Sequence, residues 1–242
     1  MKKILMLILF SLSFFNSCKK EVKESISIYT DKNLIILTND IIKSYEKENR
    51  NVKINILNEK PKNLKSLDII ISSDENFFTT IEETEKISYK DDFHESFFAD
   101  DTILLIGRRK LNSLNDLLYS HIACPNYESK VGKIFIDNIS NLDFFKEISK
   151  NIEYVDDAIS AMQSVDLYES DYAVINSLLL SSTKNTEICF TLSTIDEKGE
   201  STDEKIVYNS YVKKETSENV KNFYAFLHSK KVEKLIEEHR KR

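Results

Sequence analysis

Apolar residues recur along this chain with two periods, and the alternation between them defines its elements. SISIY is a short β-run that passes through the polar turn TDKN into LIILTNDIIKSYEKE, where Leu34, Leu37, Ile41, Ile42 and Tyr45 return at helical spacing. VKINIL predicts a second strand. After NEKPKNLKS comes LDIIISS, whose unbroken apolar run suits a strand covered on both faces of a parallel sheet. DENFFTTIEETEK predicts a helix, FADDTILLIGRRK a strand, and LNSLNDLLY a short helix capped near Asn112 or Ser113.

A second series of the same kind follows. HIACP is a strand, KVGKIFIDNI a helix, NIEYV a strand, DDAISAMQSV a helix, and YAVIN and ICFTL are strands. KIVYNSYVKK has strand character, and SENVKNFYAFLHSKKVEKLIEEHRKR closes the chain as helix with Val220, Phe223, Phe226 and Leu227 on one face. DEKGESTDEK is a solvated loop before that return strand. Strands alternating with helices predict an α/β fold with mostly parallel sheet. A final helix after a return strand is what a chain needs if it leaves one lobe, builds a second and crosses back.

The N-terminus has a different pattern. Lys2 and Lys3 precede ILMLILF, and SLSFFNSC ends on Cys18. An apolar core this short, with basic residues before it, predicts a signal peptide over residues 1–17 rather than a membrane span. Cys18 at this place fits lipidation, with 18–24 as a polar tether. The lipobox match is partial, because Phe15 and Asn16 stand where Leu and a small residue are usual. Plain secretion with cleavage nearby is the alternative.

The chain has a formal charge of −6 that becomes more negative once Lys2 and Lys3 leave, so nothing points to nucleic acid. Lys and Asn richness alongside only 3 Gly and 2 Pro reflects coding bias rather than function. No Gly/Pro/Ser linker separates independent domains. Cys124 and Cys189 could pair in an exported protein, but both border apolar runs and read more simply as small buried hydrophobes.

Catalytic chemistry is hard to find. His94, His121, His228 and His239 lack metal-ligand spacing, and there is no paired-Cys motif, nucleophile elbow, phosphate loop or dinucleotide fingerprint. No catalytic residue, metal or cofactor is expected. What remains is a set of strand-to-helix turns: Thr30 to Asn33, Ser72 to Asp74 with Ser73 between, Ser129 to Gly132, and Tyr154 to Asp156, with Asn176 at the end of YAVIN. In parallel sheets, ligands bind beyond the carboxyl ends of strands, where helix N-termini offer free N–H groups. The same Ser, Thr, Asn and Asp residues also serve as ordinary caps.

ISIYTDKNLIILTNDIIKSYEKE, DIIISSDENFF and FADDTILLIGRRK followed by HIACPNYESKVGKIF resemble, in order, the first strand and cleft turn, the third strand, and the crossing into the second lobe of the type II periplasmic binding proteins. Within them the chain resembles the molybdate-binding component of ABC importers. That resemblance implies a two-lobe type II fold, with a central mostly parallel sheet in each lobe and a two-strand hinge. Lobe 1 would span 25–99 and 207–242, and lobe 2 would span 100–206. It implies a monomeric, membrane-anchored transport protein, not an enzyme, that passes a small oxyanion such as molybdate or tungstate to a permease.

Carried over by residue, the resemblance puts the family's oxyanion-binding Ser on Asn33, its second-lobe backbone amides on Val131 and Val155, and its Tyr hydroxyl on Asn176. A further family Ser has no counterpart in NEKPKNLKS. Asp31 is also unexpected, since a carboxylate near an oxyanion repels it; it either caps toward solvent or faces a ligand ammonium. SVDLYESDYAVINSLLL and SKKVEKLIEEH resemble methionine-binding lipoproteins of the same fold, which leaves an amino acid as an alternative ligand. A surface lipoprotein that has lost solute binding is another.

Overall fold

The computed structural model describes residues 24–57, 59–195, 201–203 and 205–241. The proposed signal peptide, most of the tether and Cys18 lie outside these residues. In chain order, β1 (Glu24–Thr30) leads through a 3-10 turn (Lys32–Leu34) into α1 (Ile35–Glu48), followed by β2 (Val52–Leu57), β3 (Ile69–Ser72) and α2 (Phe77–Glu85). The long strand β4 (Phe93–Gly107) follows, and then β5 (Ile122–Pro125), α3 (Lys130–Ile139), α4 (Phe145–Ile148), β6 (Ile152–Val155), α5 (Ala158–Asp166) and β7 (Tyr172–Asn176). The chain ends with β8 (Glu187–Thr191), β9 (Ser193–Ile195), β10 (Ser201–Asp203), β11 (Lys205–Lys213), α6 (Glu218–Leu227) and α7 (Lys230–His239).

The sheet order is β2-β1-β3-β11-β4-β7-β5-β6, with β8 also on β4. Two parallel sets, β2-β1-β3 and β6-β5-β7, flank the antiparallel strands β4 and β11. The fully buried runs IIIS, IACP and YAVIN lie at β3, β5 and β7, as their lack of alternation predicts. Leu37, Ile41, Ile42 and Tyr45 of α1 are buried over the first set, and Val131 and Phe135 of α3 belong to the same core.

Strand β4 belongs to both halves. From Phe93 to Thr102 it pairs with β11, and from Ile103 to Gly107 it pairs with β7 and in part with β8. The crossings expected near Ala99 and Ile206 fall inside the β4–β11 ladder, where Ala99 faces Tyr208 and Ile206 faces Asp101. The exchange of partners comes just beyond them.

Three expectations need correcting. β4 starts at Phe93 rather than near Phe98, because pairing with β11 extends a stretch whose outward residues are polar. The closing helix is two helices: Ser229 has an extended backbone (φ −87°, ψ 155°) and its side chain accepts from Val232 N, so it ends one helix and caps the next. The acidic loop before β11 carries β10, which pairs antiparallel with β9.

Helix α7 ties the two halves together. Buried His239 lies with Nδ1 3.2 Å from the carbonyl of Leu178, just after β7, and Nε2 3.3 Å from Asp40 on α1.

Candidate functional site

The turns that follow β1, β3, β5 and β6 open on one cleft of about 780 Å³. One wall carries Asp31, Asn33 and Ser73, and the other carries Ser129, Lys130 and Asp157. Each turn has a local cause. Ser129 caps α3 by accepting from Gly132 N at 3.0 Å, and Asp157 caps α5 by accepting from Ser160 N at 2.9 Å. Gly132 lets α3 start tight against β5: a Cβ there would lie 2.0 Å from the Pro125 carbonyl oxygen.

Asp31 turns inward. Its Oδ1 accepts from Ser72 Oγ at 2.9 Å, and its Oδ2 accepts from Ser73 N at 2.7 Å and Ser73 Oγ at 2.9 Å. Burial raises the Asp31 pKa, and these donors offset part of the rise. Of the two roles open to Asp31, capping toward solvent is therefore set aside. Ser72 and Ser73, expected to face a ligand, have their hydroxyls on this carboxylate.

The other expected site residues separate into two groups. Asn33 lines the cleft, and Val131 and Val155 lie at the α3 and β6 termini beside it. The Val131 side chain is fully buried, so only its backbone can serve a ligand. Thr30 is buried with its hydroxyl 3.2 Å from Thr38 Oγ1. Asn176 is also buried, and its amide nitrogen donates to Asp101 Oδ2 at 2.6 Å.

Asp101 is a residue that sequence reasoning missed. It accepts from Asn176, from Ser177 Oγ at 2.5 Å and from Leu178 N at 3.2 Å, and burial pushes its pKa up to about 6 against those donors. Tyr208, on β11, stands near both Asp101 and Asp31; burial first, and then those two carboxylates, hold its phenol well above the usual range. The Tyr208 hydroxyl and Asn176 Oδ1 are buried without a hydrogen-bond partner. An acid inside the apolar run FADDTILL was the available signal, since a charge there needs a built partner set.

Two lysines reach the acidic rim at Ser73–Glu75. Lys60 pairs with Asp74 at 2.7 Å, and Lys130 reaches over to donate to the Ser73 carbonyl at 3.2 Å, with Glu75 at 3.5 Å. Cys124 and Cys189 are both free thiols. Among the described residues no group of three or more His, Cys, Asp or Glu side chains could hold a metal ion, and no helix is long and apolar enough to cross a membrane.

No family model and no curated protein matches the sequence. Solved structures do match over nearly the whole length. A Clostridium difficile substrate-binding domain assigned to a molybdenum ABC transporter is 19% identical with a TM-score of 0.64, over 89% of this chain and 96% of that one. The Azotobacter vinelandii periplasmic molybdate-binding protein is 13% identical at TM-score 0.64, over 88% and 97%. The chain has the type II periplasmic-binding-protein fold. PEB3 of Campylobacter jejuni, bound to L-phospholactate, shares this periplasmic-binding-protein fold at 17% identity and TM-score 0.63, over 90% and 100%. At these identities the likeness carries the fold alone.

Proposed function

We propose that the protein is the solute-capturing component of an ABC importer, exported and anchored through a lipid on Cys18, and that its cleft takes a small oxyanionic solute. The observation that carries this reading is the convergence of four strand-to-helix turns, from both halves of the sheet, on one cleft. Helix N-termini and hydroxyls there offer neutral donors to an anion. The oxyanions named for the neighbouring structures, molybdate and L-phospholactate, support the ligand class.

In this reading lobe 1 is 25–99 with 207–242, lobe 2 is 100–206, and β4 and β11 are the hinge on which the lobes close for recognition by a permease. The ligand contacts would be Asn33, the backbone of Val131 and Val155, and the Ser72–Ser73 turn, with Thr30 and Asn176 supporting from beneath. The protein binds and releases; it does not catalyse.

Thermal unfolding with molybdate, tungstate, phosphate, sulfate, phosphoesters and amino acids tests the reading. A ligand at a hundred times its dissociation constant adds about 2.7 kcal/mol of stability. An oxyanion giving a saturable rise is the expected result, and a flat response to every compound would sink it. A second reading, an amino acid as ligand, is favoured by one observation: Asp31 points into the cleft wall, where an ammonium could meet it.

A further inference from the structure

The donors of the Ser72–Ser73 turn are already in use. An oxyanion docking against this turn would need the Ser73 N–H and the two serine hydroxyls, and all three point at the Asp31 carboxylate. A carboxylate is itself an oxyanion, and this one is tethered by the chain, so no free anion competes with it on equal terms. Among the described residues no Lys, Arg or His lies within ion-pair distance of Asp31, so its charge is held by neutral donors only. A second anion beside it is repelled by a carboxylate that no cation pairs with, although Lys130 stands nearby across the cleft.

The facing wall shows what this turn tolerates instead. Lys130 places an ammonium 3.2 Å from the Ser73 carbonyl, beside the Asp31 cradle. Asp31 itself remains half-buried and lines the cleft, so one of its oxygens can still accept from a solute. Of those two oxygens Oδ1 is the less engaged, with Ser72 at 2.9 Å and the Tyr29 hydroxyl only at 3.5 Å.

We propose that Asp31 is the resident occupant of the first-lobe oxyanion subsite, so that the cleft rejects bare tetrahedral oxyanions and takes an oxyanionic solute that also presents an ammonium or hydroxyl to Asp31. This rests on reading the cleft as an oxyanion site and narrows the solute to a class. The anionic group then lies toward the second-lobe wall, where α3 begins, and the donor end lies against Asp31. Asp31 is thus the residue that sets specificity, and it does so by exclusion as much as by attraction.

Calorimetric titration of the full-length protein, Asp31→Ser and Asp31→Asn, with tungstate, inorganic phosphate and phosphoethanolamine, tests this. The native protein should bind phosphoethanolamine at least tenfold more tightly than tungstate or phosphate. Asp31→Ser should reverse that order, gaining at least tenfold for the bare ions. Asp31→Asn keeps the shape of the native side chain and should move the same way by less, so the test survives if the serine variant fails to fold. Bare ions binding native protein as tightly as either variant would overturn the exclusion and leave oxyanion capture standing. If no probe binds any of the three proteins, the exclusion and the oxyanion reading fall together.

Discussion

Lys130 and Ser73 meet across the cleft, the lysine Nζ donating to the serine carbonyl at 3.2 Å. The two residues sit on turns that follow β5 and β3, strands of different halves of the sheet. Their contact therefore bridges the two walls of the cleft. Surface contacts of this kind contribute roughly 0–1 kcal/mol, so Lys130→Met should leave the unfolding midpoint nearly unchanged. Its effect should be on shape: small-angle scattering should give a larger radius of gyration for the variant without ligand. Identical scattering curves would show that Lys130 does not hold the halves together.

Asp101 should make stability depend on pH. Its pKa is near 6 in the folded chain, against about 3.9 when exposed, so the folded state holds the extra proton between those values. Its contribution is most favourable below pH 4, is lost as pH rises through 6, and amounts to about 3 kcal/mol. Asp101→Asn should flatten that part of the stability profile in denaturant titrations between pH 4 and 7. Asp101→Ala should lose the same slope and cost about 2–4 kcal/mol near pH 4, less as pH rises, because Ser177, Asn176 and Leu178 lose their acceptor.

How much of this was legible depended on whether a residue's role was local. The turn at Ser129 announced itself, because it is a cap followed by apolar helical spacing, and the runs at β3, β5 and β7 read as buried strands. The start of β4 was hidden, since its pattern comes from β11, more than a hundred residues away in the chain. The break at Ser229 left the apolar spacing intact on both sides. Asp31 was noticed but its direction was not readable: an aspartate after a strand caps or turns inward according to what Ser72 and Ser73 offer it, forty residues later.

Gly132→Ala should damage the cleft from behind. The added methyl would lie 2.0 Å from Pro125 O and 2.4 Å from Asn126 O, both backbone atoms that a side-chain rotation cannot clear. Overpacking of this kind costs about 1–3 kcal/mol or more, and here it would also lift α3 off β5. Urea unfolding should show the loss, and a crystal structure of the variant should show α3 displaced at its first turn. Native stability in this variant would mean that the turn can yield.

The two thiols should differ sharply in reactivity. Burial pushes Cys124 up to about 12, while Cys189 is only half-buried, with its Sγ 3.3 Å from the Arg109 carbonyl. With Cys18 replaced by Ser, a thiol reagent should label Cys189 in native protein and both residues after denaturation. Rapid native labelling of Cys124 would place it elsewhere than the core.

The position of β11 also bears on how the molecule is made. It lies between β3 and β4, so the middle of the first half's sheet is filled by residues 205–213, which follow the whole second half in the chain. Until they arrive, β3 and β4 have an empty slot between them and nothing joins the early strands into a closed layer. A nascent chain therefore cannot complete the sheet of its first half until its second half has been made. Strand order itself thus sets a late step in folding, because the sheet of the first half closes only around a strand that follows the second.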